Sequence, residues 1–238
     1  MAPRTNQLGQ PIGEDVPDWT ARPKPPHTVL EGRLGRLEPL LESAHAAGLH
    51  ANHSMDADDG IWTYLAYGPF ASGEEYADFV RWAESRDDPL FYAIVDRKSG
   101  DPLGVGSFLR IDPSVGSIEI GHLCFSHRLQ QTPLATEALY LMMRHAFDDL
   151  DYRRLEWKCD SLNAPSRAAA ERLGFRYEGT FRQAQVTKGR NRDTAWYSVV
   201  DGEWPALRQS FEAWLAAPNF DRDGRQRRPL REFRKTSG

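Results

Sequence analysis

Asn163-Ala164-Pro165-Ser166-Arg167-Ala168-Ala169-Ala170-Glu171-Arg172-Leu173-Gly174-Phe175 is the stretch whose reading decides the fold. It reads as one complete, capped helix. Asn163 is an N-cap, since its side-chain oxygen can accept an amide of the first turn. Pro165 sits in that turn, where a missing N–H costs nothing, and Gly174 supplies the left-handed stop. Immediately upstream Leu155, Trp157 and Cys159 alternate with Glu156 and Lys158, a strand period; Phe175 to Gln183 reads as a strand immediately downstream. A helix bracketed by strands points to mixed α/β structure.

The same pattern extends outward. Leu134, Ala138, Leu141, Met142 and His145 follow helical spacing, and that helix ends at Asp148-Asp149, acids placed awkwardly at the negative end of its dipole. Leu90–Val95, Leu103–Ile111 and Ser117–Phe125 read as strands, with turns at Asp96–Gly100 and Asp112-Pro113-Ser114. Ser72-Gly73-Glu74-Glu75 is a capping box ahead of a helical face of Tyr76, Phe79, Val80 and Ala83. A strand over His27–Leu37 and a helix over Glu38–Leu49 precede it. After the turn Lys188-Gly189-Arg190-Asn191 come a strand over Asp193–Val200 and a helix from Trp204 to about Ala216. The predicted order is β-α-α-β-β-β-α-β-α-β-β-α, an α/β (α+β) domain over residues 28–216. Ahead of it lies an extended arm, residues 1–27, with six prolines, expected to lie over the domain or a neighbouring subunit; behind it lies a basic tail, residues 217–238, expected to be frayed and solvated.

Composition narrows the function. The chain has 238 residues, with 30 Lys+Arg against 34 Asp+Glu and a net charge of −4, which argues against a general polyanion binder. Nucleic acid is therefore not expected as a partner, despite the run Arg225 to Lys235. Seven Trp, eight Tyr and eleven Phe exclude disorder throughout. No run approaches the roughly 18 apolar residues of a membrane span, and Met1 to Gln7 lack the apolar core of a signal peptide. Cys124 and Cys159 cannot build a disulfide scaffold, so a reducing, cytoplasmic location is the expectation. His45, His50 and His53 lack a zinc-binding motif, and no metal is expected. The arm or the last helix offers a contact for a homodimer.

Three motifs carry a resemblance: Ser117-Ile118-Glu119-Ile120-Gly121-His122, Leu134-Ala135-Thr136-Glu137-Ala138, and Asn163-Ala164-Pro165-Ser166 through Leu173-Gly174-Phe175. In this order and spacing the chain resembles the GNAT acetyltransferases, and within them the branch of the ribosomal-protein N-terminal acetyltransferases. The resemblance implies a mixed, mostly antiparallel sheet flanked by helices, whose fourth and fifth strands splay to admit acetyl-CoA. Leu123, Cys124 and Phe125 would then offer backbone groups to the pantetheine arm and the thioester. The stretch Arg128 to Thr136, with Arg128, Gln131, Thr132, Leu134, Ala135 and Thr136, would hold the pyrophosphate at a helix start. The chain departs from the family here. The usual loop, Gln/Arg-x-x-Gly-x-Gly/Ala, reads Arg128-Leu129-Gln130-Gln131-Thr132-Pro133, with neither glycine.

Glu119 is the candidate general base. Strict alternation puts it on one face with Gly121 and Leu123, with Ile118, Ile120 and His122 opposite. The competing reading is a structural ion pair with an arginine. His122 reads more naturally as a hydrogen-bonded core histidine than as a proton relay. The resemblance gives Ser166 the role of acid toward the departing thiolate, with helix capping as the alternative, and it places Asn163 both at the cap and at the cofactor. Trp62, Tyr64 and Tyr67, with Phe70, either wall an acceptor cleft or bury an irregular loop. The expected activity is direct acetyl transfer from acetyl-CoA, the acyl donor, to a primary amine: a peptide or protein N-terminus or a small amine. The alternative is a non-catalytic CoA-sensing or protein-binding module, motivated by the missing glycines.

Overall fold

The computed structural model describes residues 4–234. Met1–Pro3 of the arm and Lys235–Gly238 of the basic tail lie outside them. The elements are β1 (Arg4–Thr5), β2 (Pro11–Ile12), β3 (Leu30–Glu31), β4 (Gly35–Pro39), α1 (Glu42–His53), α2 (Gly73–Glu84), β5 (Leu90–Asp96), β6 (Pro102–Asp112), β7 (Ser117–Phe125), α3 (Pro133–Arg144), β8 (Arg154–Asp160), α4 (Ala164–Leu173), β9 (Arg176–Thr187), β10 (Arg190–Val200) and α5 (Trp204–Leu215). β1 and β2 form a small ribbon. The other eight strands form one sheet in the order β3-β4-β5-β6-β7-β8-β10-β9. It is antiparallel except where β7 meets β8. The mixed, mostly antiparallel architecture agrees with the sequence reading.

Both sheet faces are covered, which is why β5 reads as an unbroken apolar run. Tyr92, Ile94, Phe108, Ile118 and Ile120 pack with α3 and α5 on one side; Phe91, Ala93, Val95, Val105 and Cys124 pack with α1 and α2 on the other. The single strand expected over His27–Leu37 is a hairpin instead, and the first helix starts at Glu42 rather than Glu38. The cause is a tertiary clamp. The Glu137 carboxylate, buried at the start of α3, accepts the Arg33, Leu34 and Gly35 amides at 3.0, 2.6 and 3.1 Å. Three converging N–H groups stabilise a buried carboxylate and hold the turn shut. A Cβ on Gly35 would lie 2.4 Å from Leu134 Cδ1 and 2.5 Å from Val95 O, so the close approach needs glycine.

The long hairpin of β9 and β10 turns at Lys188-Gly189, both at positive φ (50° and 71°), and its strands run past their expected ends. The acids that follow α3 are relieved by partners. Asp148 accepts the Trp204 indole N–H at 2.6 Å and pairs with Arg208, while Asp149 meets His145 at 2.8 Å.

Of the two termini, only the described part of the tail departs from expectation. The arm lies over its own domain: Trp19 donates to Ser114 O, Arg22 N to Pro113 O, and Tyr152 and Tyr92 donate to the carbonyls of Pro23 and Pro26. Residues 217–234 of the tail are docked rather than frayed, because Leu230 enters the main core and Asn219 and Gln226 tie the segment to Trp214. Among the described residues no helix is long and apolar enough to cross a membrane.

Glu137→Ala leaves three enclosed amides without an acceptor and should cost about 3–5 kcal/mol. Urea unfolding measures it; a loss below about 1 kcal/mol would mean that the turn is held by something else.

Candidate active site

β7 and β8 run in parallel register from Ser117↔Arg154 to Ile120↔Trp157 and then part. β7 stays with β6 as far as Phe125, and β8 stays with β10 as far as Asp160. Beyond Ile120 the edge of β7 that faced β8 has no strand partner. A cleft of about 270 Å³ opens there, lined by Glu119, Gly121, His122 and Leu123 from one side and Lys158, Cys159, Asn163 and Ser166 from the other. Ile61, Tyr64, Leu65 and Ala66 wall its mouth, together with Gln185 and Arg192 of the long hairpin.

Strict alternation fails along β7. Val105 pairs with Cys124 and Ser107 with Gly121, so Gly106 alone opposes His122 and Leu123; this is a β-bulge, with His122 at φ 51°. The bulge reverses the two expected orientations. His122 joins the Glu119 face, stacking on Tyr67 (centroids 5.6 Å apart, planes 12° apart), and Leu123 turns to the α3 face against Gly106 and Met142. Burial, aided by the Arg110 and Arg192 charges, lowers the His122 pKa to about 4. Its ring is neutral at pH 7, and Nδ1 shares a 3.3 Å hydrogen bond with the Tyr67 hydroxyl.

Glu119 is both cleft-lining and ion-paired. Its Oε2 meets Arg110 Nη1 at 2.7 Å and Lys158 Nζ at 3.0 Å. Lys158 also pairs with Glu156 at 2.7 Å and stands 3.7 Å from the Trp196 ring centroid. Both cations use Oε2. Oε1 points toward Gly121, 3.5 Å from where a Cβ would stand, so glycine keeps that side of the carboxylate open. Burial pushes the carboxyl pKa up, against the opposing pull of Lys158 and Arg110.

α4 brings its first turn to the cleft as the sequence indicated. Asn163 Oδ1 accepts the Ser166 amide at 3.1 Å and caps the helix. Ser166 Oγ accepts the Trp157 indole N–H at 3.0 Å, which leaves the hydroxyl proton free to donate. The hydroxyl stands beside Cys159, where its hydrogen bond opposes the rise in thiol pKa that burial causes.

The remaining expected residues lie elsewhere. Trp62 and Tyr67 belong to an aromatic cluster with Phe70, Tyr76 and Phe79, and of the three aromatics named for the acceptor only Tyr64 reaches the cleft wall. Cys124 is buried against His53. Thr132 caps α3 by accepting the Ala135 amide at 3.2 Å, and Leu134 and Ala135 are buried in its first turn. The Thr136 hydroxyl accepts from Arg172 at 2.7 Å. Arg128 is bound to Asn52 Oδ1 at 2.9 Å and Asp101 at 2.8 Å. His45, His50 and His53 do not converge: His45 bonds Glu38 and His53 bonds the Tyr76 hydroxyl.

Sequence reasoning missed Arg110, Lys158 and Arg192. Lys158 was visible on the parity opposite Trp157, but only the parallel register shows that it reaches Glu119. Two cations of the hairpin tie it to the loop ahead of α2: Lys188 Nζ donates to Trp62 O at 2.8 Å and Arg190 Nη2 to Thr63 O at 2.7 Å.

Known proteins are similar to this chain in sequence and fold. Residues 36–176 match the model of the acetyltransferase (GNAT) domain. A GCN5-related N-acetyltransferase from Brucella melitensis superposes with a TM-score of 0.89 at 49% identity, over 91% of this chain and 98% of that one. A ribosomal L7/L12 α-N-protein acetyltransferase solved with coenzyme A gives a TM-score of 0.63 at 25% identity, over 73% and 99%. An uncharacterized N-acetyltransferase of Bacillus licheniformis is 24% identical over 62% of this chain and 84% of its own length. With the parted strands, the capped α4 and a family match over more than half its length, this chain belongs to the GNAT acetyltransferase family.

Proposed function

We propose that the protein transfers the acetyl group of acetyl-CoA directly to a primary amine, with a protein or peptide N-terminus as the acceptor. The observation that carries this reading is the cleft at the parting of β7 and β8, with Glu119 on one wall and Ser166 on the other. The ribosomal-protein acetyltransferase among the similar structures supports the choice of a peptide acceptor.

The residues fit the donor. The unpaired edge of β7, residues Leu123, Cys124 and Phe125, offers backbone groups to a pantetheine chain and a thioester oxygen. The start of α3 offers a pyrophosphate its partial positive charge, although Pro133 has no N–H and the Ala135 amide is already given to Thr132 Oγ1. The missing glycines do not remove that geometry. Gln131 takes the left-handed conformation itself, at φ 59°, and Pro133 stands at the beginning of α3, where its lack of an N–H is harmless.

In the reaction the amine nitrogen attacks the thioester carbonyl carbon, the C–S bond breaks, and an amide and a thiol result. Glu119 Oε1 takes the amine proton, and the Ser166 hydroxyl gives a proton to the leaving sulfur and regains one from solvent. Lys158 and Arg110 hold the carboxylate in place through Oε2. Positioning both reactants in one cleft supplies much of the rate.

Acetyl-CoA at 100 times its dissociation constant should stabilise the protein by about 2.7 kcal/mol, roughly 5–10 °C in Tm for a domain of this size. No shift at millimolar acetyl-CoA would overturn the donor assignment. A shift without acetylation of any amine would leave a non-catalytic CoA-binding module.

Glu119→Gln should lower kcat with a peptide acceptor about 100-fold near pH 7. The deficit should shrink above about pH 8, where an α-amino group of pKa about 7.7–8.0 is already neutral. An unchanged rate at pH 7 would place the base elsewhere. Gln131→Gly should alter stability by no more than about 1 kcal/mol, because relief of the left-handed strain offsets the added chain entropy, whereas Gln131→Val should cost about 1–2 kcal/mol. Urea unfolding with and without acetyl-CoA compares them.

A further inference from the structure

The charged groups of the cleft are matched with one exception. Arg110 pairs with Glu119, Lys158 with Glu119 and Glu156, and Arg154 with Glu156 and Glu178. Lys188 and Arg190 are held by backbone carbonyls. The two nearby acids are occupied locally: Asp160 accepts the Leu162 amide, and Asp193 accepts the Gln183 amide and the Asn191 side chain. Arg192 forms no salt bridge among the described residues, and its Nε is buried without a hydrogen-bond partner.

Arg192 also faces the cleft. It lies opposite Gln185 in the β9–β10 register, and both line the opening with Tyr64 and His122. Its charge is felt at His122 on β7 and at Cys159 on β8, the two strands that part. A guanidinium with a buried, unsatisfied donor is costly until an acceptor arrives, and its planar fork fits a carboxylate with two parallel hydrogen bonds. The pyrophosphate is expected at the start of α3, in the 128–136 stretch, whereas Arg192 lines the cleft with Ile61, Tyr64, Leu65 and Ala66. An acid on the acceptor is the group that reaches it.

We propose that Arg192 recognises a carboxylate carried by the acceptor, so that the preferred substrates are amines lying close to an acidic group. This rests on the amine-acetylation reading above and names its substrate class. The carboxylate is either an acidic side chain near a peptide N-terminus or the α-carboxylate of a free amino acid; the chemistry at Arg192 is the same.

The test is acceptor binding by calorimetry to the full chain saturated with free coenzyme A, which cannot react. The ligands are the amidated peptides Ala-Asp-Ala-Ala and Ala-Asn-Ala-Ala, and free alanine against alaninamide. The acid-bearing member of at least one pair should bind about tenfold tighter or more. Preference in the first pair identifies the side chain as the source, and preference in the second identifies the α-carboxylate. Arg192→Gln should remove the preference while leaving the neutral ligands and the acetyl-CoA Tm shift unchanged, and Arg192→Lys should restore part of it. Equal affinities within both pairs in the unmodified protein would overturn the proposal without recourse to a variant. So would an Arg192→Gln protein that loses acid-bearing and neutral ligands alike, or that loses acetyl-CoA. Preferential binding with no acetyl transfer to the same peptides would overturn the transferase reading and leave the role of Arg192 standing.

Discussion

The interaction on which the rest of the structure depends is one that stops: the pairing of β7 with β8 ends at Ile120 and Trp157. A parallel pair inside a sheet covered on both faces would ordinarily continue, since unpaired backbone is expensive in a dry interior. Here each strand keeps its outer neighbour, and the inner edges part over a cleft. Three local features frame the parting. The bulge at His122 turns β7 out of register, Lys158 reaches back to Glu119 and ties the two strands where they diverge, and the first turn of α4 is joined to β8 by the Trp157 to Ser166 hydrogen bond.

Electrostatics then divides the labour within it. Glu119 is buried, yet both of its cations approach one oxygen, so the carboxylate is anchored without being enclosed. His122 is kept neutral by burial and by the Arg110 and Arg192 charges. The hairpin of β9 and β10 brings a row of cations to the mouth, most of them held by protein groups. A neutral imidazole, an anchored carboxylate and one unmatched guanidinium give the two sides of the cleft distinct chemistry.

The segments flanking the domain belong to the packing too. The arm rests on the β6–β7 turn and on Tyr92 and Tyr152, and the tail puts Leu230 into the core beside α5. The arginine content of the tail, taken alone, describes solvated chain, and the prolines of the arm describe only an extended one. What composition does not carry is the position of single anchors such as Trp19, Asn219 and Leu230, each of which finds a partner far away in the fold.

The sequence by itself determined the element order from the first helix onward, the capped helix from Asn163 to Gly174 and the family, because caps, stops and hydrophobic period act within a few residues of one another. It also located Glu119 on a central strand and Ser166 on a first turn. What only the tertiary structure decided is whom these residues meet. The Gly32–Gly35 turn forms because a carboxylate from α3, about a hundred positions away, holds it. Alternation failed at His122 because one extra residue in β7 reversed the faces, and a bulge is defined only against the partner strand. Lys158, Arg110 and Arg192 escaped notice because a cation's partner is set by strand register and by the closing of long loops. Local chemistry writes the elements; the charges that act in the cleft are assembled by contacts whose sequence separation leaves no local pattern to read.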